Sequence, residues 1–193
     1  MEKVLVVPSV DLRTSLFTRD TPGKFLWKDR DSVEKNPDFV QIIPFVVLED
    51  GEGRISVFTN SNTNEARLTG QRSVGVGGHI NPIDEVKFDQ LLSIEHTLIR
   101  CILRELSEEV GWSGPLNIRQ LKGGPIHLPG RNSVDDCHVG LPFLTPVNPR
   151  DLVIDSREIQ DLTFVRPKDL ENAPLDSWSS EIIHRLLYFR RYK

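Results

Sequence analysis

Cysteine, methionine and tyrosine are scarce in this chain: two, one and two among 193 residues. Cys101 and Cys137 stand far apart in apolar surroundings, and no Cys-x-x-Cys pair occurs. That excludes a disulfide framework and a thiolate zinc site, and the two are read as reduced core thiols. Long apolar runs are missing too. Nothing approaches the roughly 18 residues of a membrane span, and Val4 to Val7, behind Met1-Glu2-Lys3, is far shorter than the apolar stretch of a secretory leader. The expectation is a cytoplasmic protein with no membrane attachment. Positive charge is not in excess either: 24 Lys plus Arg stand against 28 Asp plus Glu, a net charge of -4. Such a balance argues against long nucleic acid as a partner, although a nucleotide needs only a few well-placed cations.

What is present is ordinary for a folded domain. Hydrophobic residues make up 38% and charged residues 27% of the chain, which argues against disorder, and the length suits one domain with a decorated periphery. Val4 to Pro8 reads as a short buried strand, and Asp11 to Asp38 as a mixed polar stretch broken at Thr21-Pro22-Gly23. Gln41 to Leu48 is the strongest strand signal of the N-terminal half. Glu49 to Gly53 is a turn by composition, and Arg54 to Thr59 the return strand of a hairpin. Thr59 to Asn64 is a polar loop. Three glycines in Arg72-Ser73-Val74-Gly75-Val76-Gly77-Gly78-His79 suggest backbone that passes close to something. A polar stretch, Asn81 to Gln90, leads into a helix from about Leu91 to Val110, ended by Gly111. Leu116 to Lys122, Cys137 to Leu144 and Ile159 to Val165 read as strands, and Pro167 to Leu170 as a short turn or helix. Ser177 to Tyr192 reads as a closing amphipathic helix with Arg185, Arg190 and Arg191 solvated.

The central helix carries the chemistry. At about 100° per residue, Ile99, Leu103, Leu106 and Val110 fall in one stripe roughly 60° wide, the expected core face. Glu105, Glu108 and Glu109 occupy a separate face at i, i+3, i+4 spacing, which brings side chains within about 5–6 Å. Three carboxylates so close repel one another, and at a helix C-terminus the dipole disfavours them further. A divalent cation offsets both penalties, and oxygen-only clusters suit Mg²⁺ or Mn²⁺. The plain alternative is a solvated acidic face in which Arg104 pairs with Glu108.

The run Arg104-Glu105-Leu106-Ser107-Glu108-Glu109-Val110-Gly111, preceded by Gly77-Gly78, resembles the Nudix box: Gly, five residues, Glu, seven residues, then Arg-Glu-aliphatic-x-Glu-Glu-x-Gly-aliphatic. The C-terminal half matches throughout, with Trp112 as the closing apolar residue. Gln41 to Phe45, Arg67-Leu68, Arg72 to Asp84, His138 to Phe143 and Trp178-Ser179 extend the likeness to a branch of Nudix-type phosphoesterases. The resemblance implies an α/β fold, an α/β/α sandwich with a mixed sheet between the box helix and a C-terminal helix. It implies a single domain over 1–193, with residues 1–40 extending the sheet. It implies metal-dependent hydrolysis of a pyrophosphate linkage in a nucleotide-like diphosphate, with homodimerisation as a family habit. Glu105, Glu108, Glu109 and the Gly78 carbonyl are then the metal ligands, Gly77 permits close approach of substrate, and Arg104 holds a carboxylate. The general base is an acid beyond the box: Glu158, with Asp161, Asp135 and Asp136 as rivals. Arg67, Arg72 and Arg131 are the candidate phosphate ligands.

The first half of the box departs from the pattern. His96 stands where its glutamate belongs, Glu95 is out of register by one, and sixteen residues separate Gly78 from Glu95. The reading is an insertion, with neither Glu95 nor His96 essential; His138 is read as structural. Two other functions share such a fold. A non-catalytic ligand-binding module would be expected to lose box carboxylates, and all three are present. A diphosphate isomerase needs a Cys and an acid facing across a pocket, whereas Cys101 lies inside the box helix.

Overall fold

The computed structural model of the chain describes residues 1–13, 25–61 and 69–190. These residues form two compact units, through both of which three elements run: strand β3 (Phe39–Glu49), helix α2 (Ile94–Val110) and strand β10 (His138–Pro146).

The first unit comprises Met1–Pro44, Gly78–Cys101 and His127–Gly140. Strand β1 (Lys3–Pro8) lies between β2 (Leu26–Asp29) and the start of β3, antiparallel to both: Val6 pairs with Leu26 on one side and Gln41 on the other. Val4 to Val7 are all buried, so both faces of the strand are covered, and the run is therefore apolar at every position rather than at alternate ones. Val4, Val6, Phe39 and Val33 of the short helix α1 (Arg30–Val33) pack together. Strand β2 was not legible in the sequence. It is four residues long and polar at half its positions, so pairing with β1, not its own composition, makes it a strand.

The inserted segment is a built structure. Asn81 and Asp84 bond reciprocally, Asn81 N–H to Asp84 Oδ2 at 3.0 Å and Asp84 N–H to Asn81 O at 2.9 Å, around a single 3-10 turn. Strands β7 (Lys87–Phe88) and β8 (Leu91–Leu92) then form a hairpin. Its two turn residues, Asp89 and Gln90, have φ of 48° and 69°, the paired left-handed conformation of a two-residue hairpin loop. The hairpin is tied to the first turn of α2: Ser93 N–H donates to Val86 O (2.8 Å), Val86 N–H to Thr97 Oγ1 (3.0 Å) and the Arg100 guanidinium to Glu85 O (3.2 Å). The helix therefore begins at Ile94, later than its apolar pattern suggested, because Leu91-Leu92 belongs to the hairpin.

The second unit comprises Phe45–Gly77, Ile102–Ile126 and Leu141–Lys193. The end of β3 pairs with β6 (Gly75–Gly77) and at Glu49 with β4 (Ile55–Asn60). Strand β4 pairs with β5 (Arg72–Ser73) and β11 (Ile159–Val165), and β10 with β9 (Arg119–Gln120), all antiparallel. The strand expected over Leu116 to Lys122 is thus only two residues long. Val46 and Leu48 face the α2 residues Ile102, Leu106 and Val110, with Phe58, Val76, Trp112, Val147 and Ile159 completing that core. Alternate strand residues point to opposite faces, and Phe45 meets Trp178 of α3 (Ser177–Arg190) edge-on, ring centroids 5.8 Å apart. Within this unit the sheet is layered between the two helices: the expected α/β/α sandwich. Among the described residues no helix is long and apolar enough to cross a membrane.

Two sequence expectations are corrected here. Leu103 is 38% exposed, and Ile102 and Leu98 are buried instead, so the core face of α2 is rotated from the stripe first drawn. Arg185 is not solvated: it donates to the carbonyls of Gly124 and Pro125 and to Glu181, holding a loop against α3.

Candidate active site

The four box residues lie in the last two turns of α2, all within the second unit. Arg104 Nη1 reaches Glu105 Oε1 at 2.6 Å and Glu108 Oε2 at 3.2 Å. Glu105 is the sheltered partner, its side chain 13% exposed against 59% for Glu108, so the shorter contact is also the less screened one. Both the orienting contact and the i, i+4 ion pair of the plain reading are therefore present.

Glu109 is different. It follows Ile102 by seven residues, so on the helical wheel it lies about 20° from that fully buried side chain, at the edge of the core face. Burial pushes its carboxyl well above the ordinary glutamate range, and the charges of Glu105, Glu158 and Glu108 push it further the same way. Ionised Glu109 is thus electrostatically unfavourable without a cation to balance it.

Glu158 owes its place to the C-terminus of α2. Gly111, at φ 61°, turns the chain out of the helix, and Trp112 N–H returns to Leu106 O at 3.0 Å. The next free carbonyls are taken from outside: Val153 N–H donates to Val110 O (2.9 Å) and Asp155 N–H to Glu109 O (2.8 Å). Asp155 is clamped by Arg157, whose bonds hold its carboxyl down to about 2. Glu158 N–H then bonds Asp155 O, and Ser61 N–H bonds Glu158 O, both at 3.0 Å. Of the four acids weighed as general base, Glu158 is the one whose charge acts on Glu109. Asp161 is exposed, at φ 55°, in the β-bulge where the β11–β4 register shifts. Asp135 and Asp136 belong to the first unit, where their charges bear on His127.

The glycine run divides by role. A Cβ on Gly75 would lie 2.4 Å from the Phe45 ring, so this glycine is required by packing. Gly77 pairs with Phe45 across β3 and β6. Gly78 is in the first unit, where its carbonyl lies 3.8 Å from the Cys101 thiol. Arg72 is partly buried on β5, and its guanidinium has no carboxylate partner among the described residues; its backbone carbonyl accepts from Asp176 N–H at 2.9 Å. Arg131 is exposed. Arg67 lies outside the described residues. His96 bonds Ser93 Oγ through Nδ1 (2.8 Å) and stands edge-on to Phe88, centroids 5.0 Å apart.

Sequence reasoning left Trp178-Ser179 without a role. Ser179 Oγ accepts from Val74 N–H (3.0 Å) and donates to Asp176 Oδ2 (2.7 Å), while Ser179 N–H donates to Asp176 Oδ1 (2.8 Å). Asp176 thus caps α3, and Ser179 ties that helix to the residue beside Gly75.

Among the described residues, no three His, Cys, Asp or Glu side chains are arranged to hold a metal ion as they stand, with Arg104 taking up Glu105 and Glu108. The donor chemistry does fit a hard divalent cation: oxygen only, at i, i+3, i+4, with Glu109 crowded by three carboxylates.

No curated protein matches the chain. Among solved structures it is similar to Tm1382, a candidate Nudix hydrolase, at 20% identity, covering 97% of this chain and all of that one, TM-score 0.71. It is similar to DR0079 from Deinococcus radiodurans at 14% identity, 95% and 98% coverage, TM-score 0.61. The NUDIX domain of Shewanella oneidensis NrtR, solved with ADP ribose, follows at 16% identity, 80% and 89% coverage, TM-score 0.57. These likenesses establish a shared fold. The NUDIX domain family model matches residues 41–186, most of the chain, and by that match the protein belongs to the Nudix family.

Proposed function

We propose that this protein hydrolyses a pyrophosphate linkage in a nucleoside diphosphate joined to another group, using Mg²⁺ or Mn²⁺. The observation that carries the reading is Glu109: a partly buried carboxylate at the core edge, crowded by Glu105, Glu108 and Glu158 within an intact box half. Glu105, Glu108 and Glu109 would hold the cation after Arg104 releases part of its grip. When bound, the ion gathers phosphate oxygens, offsets developing negative charge and acidifies a water. Arg104 restricts the rotamers of Glu105 and Glu108, so less order is lost when they turn to a ligand. Glu158 is the proposed acceptor of the proton from the attacking water, held in place by Asp155 and Ser61. Arg72, with no carboxylate partner among the described residues, is proposed to neutralise a substrate phosphate, and Arg67 remains a second candidate on the motif alone. The site calls for no long nucleic acid and no membrane.

A screen of nucleotide sugars, dinucleoside polyphosphates, coenzymes and nucleoside triphosphates, with and without Mn²⁺, tests this. The expected result is turnover of one class, abolished by chelator and restored by Mg²⁺ or Mn²⁺. Full activity in excess chelator overturns the mechanism. The second reading is a ligand-binding module without catalysis, motivated by the fold shared with the NrtR domain solved with ADP ribose. Binding of a diphosphate without turnover under any divalent ion would favour it.

A further inference from the structure

The first unit holds two imidazoles that the proposed hydrolysis does not use. His79 Nε2 and His138 Nε2 face each other at 3.1 Å, with ring centroids 5.2 Å apart and planes inclined at 60°. The rings meet nitrogen to nitrogen and are not stacked. His138 is buried, and its Nδ1 lies 2.7 Å from Val134 O, so that nitrogen carries the proton and donates it. A neutral His138 therefore presents the lone pair of Nε2 to His79. Across the contact, the Cys101 thiol lies 3.6 Å from His79 O and 3.8 Å from Gly78 O, fixing the backbone beneath the second ring.

As it stands the contact is an N–H···N hydrogen bond, and its spacing also suits a two-imidazole chelate. Nitrogens bound at about 2.0–2.1 Å to a tetrahedral ion stand about 3.3–3.4 Å apart, close to the separation found here. A metal-bound histidine usually donates its other ring N–H to a carbonyl or carboxylate, as His138 does to Val134.

We propose that His79 and His138 bind a borderline divalent transition ion, of which Zn²⁺ is the test case, at a site chemically distinct from the oxygen-only carboxylate helix. Imidazole nitrogen selects such ions over Mg²⁺. On binding, the Nε2 proton of His79 moves to its Nδ1, so both Nε2 lone pairs face the ion and no net proton is released. The inference does not rest on the proposed hydrolysis.

The test is calorimetry of the full chain with Zn²⁺, and absorption spectroscopy with Co²⁺, both in excess Mg²⁺ to occupy oxygen donors. One equivalent of Zn²⁺ is expected to bind, to shift the ring ¹⁵N resonances of both His79 and His138, and to persist in Glu109→Gln. His79→Asn and His138→Gln should each weaken binding at least about tenfold. His79 is the more exposed of the pair, so its variant serves if His138→Gln fails to fold, and the resonance shifts need no variant. No Zn²⁺ binding, binding unchanged in His79→Asn, or binding lost to Mg²⁺ competition or to Glu109→Gln would overturn the proposal.

Discussion

The backbone N–H of Asp155 donates to the carbonyl of Glu109, the residue whose carboxyl burial and neighbouring carboxylates push well above the ordinary range. One hydrogen bond thus serves two purposes. It satisfies a carbonyl that the end of a helix leaves open, and it seats the loop that brings Glu158 into the field of Glu109.

Glu109 sets activity against stability. Its folded pKa lies above the unfolded value, so its ionisation opposes folding above the unfolded pKa, and that penalty is relieved as pH falls through the folded pKa. In metal-free protein, Glu109→Gln should therefore raise the melting temperature at neutral pH by a few degrees, and the gain should shrink towards acid pH. The same variant should lose divalent affinity. Calorimetry across pH, with and without Mg²⁺, reads both effects; a metal-free Gln variant less stable than the parent at neutral pH contradicts this electrostatic account.

Arg104 and the glutamates should separate in magnitude. Arg104→Ala removes an orienting contact and should lower activity or metal affinity by about 10–100-fold. Glu108→Gln and Glu109→Gln remove charge where the cation is proposed to sit, and should cost on the order of 10²–10³ in kcat, or ~3–4 kcal/mol of barrier. Equal and small effects in all three would restore the reading of a solvated acidic face.

Glu95→Ala and His96→Ala should both retain substantial turnover. His96 is engaged with Ser93 and Phe88 on the exposed side of the helix start, and Glu95 is exposed. Either variant proving as inactive as Glu109→Gln, with normal circular dichroism, would return that residue to the metal site.

Ser179→Ala should destabilise the fold without touching a box residue. It deprives the buried Val74 N–H of its acceptor and Asp176 of a donor. Burial already raises the Asp176 carboxyl, against the bonds from Ser179, Ser73 and the Trp178 backbone that pull it down. The expected loss is about 1–3 kcal/mol, roughly 2–4 °C of melting temperature per kcal/mol for a chain of this size, visible in thermal denaturation.

Most of the framework was legible in the sequence because apolar periodicity reports burial directly: β1, β3, β4, β11, α2 and α3 fall within a few residues of where the pattern placed them. The box half was legible because three acids at helical spacing have few stable uses. What escaped depended on partners distant in the chain. Strand β2 exists through its register with β1. Ile102 displaced Leu103 from the core because the packing partners, Val46 and Leu48, set the angle of the helix. Glu158 was one of four equivalent acids in the sequence, and that its charge acts on Glu109 depends on a loop fastened to the end of α2 by the bonds from Val153 and Asp155. The hairpin at Asp89-Gln90 carried no glycine to announce it, although Asp tolerates the left-handed region better than most residues.

That hairpin bears on how such signatures are written. A pattern that counts a fixed number of letters between glycine and glutamate treats the chain as a ruler, whereas Val86, Glu85 and Arg100 fasten the extra segment to the helix start like a loop of slack pinned at its base. Lengthening a loop adds only about 0.6 kcal/mol per doubling. Spacing is therefore the cheapest part of the motif to change, and chains carrying only its second half, behind an insertion of any length, belong in the same search.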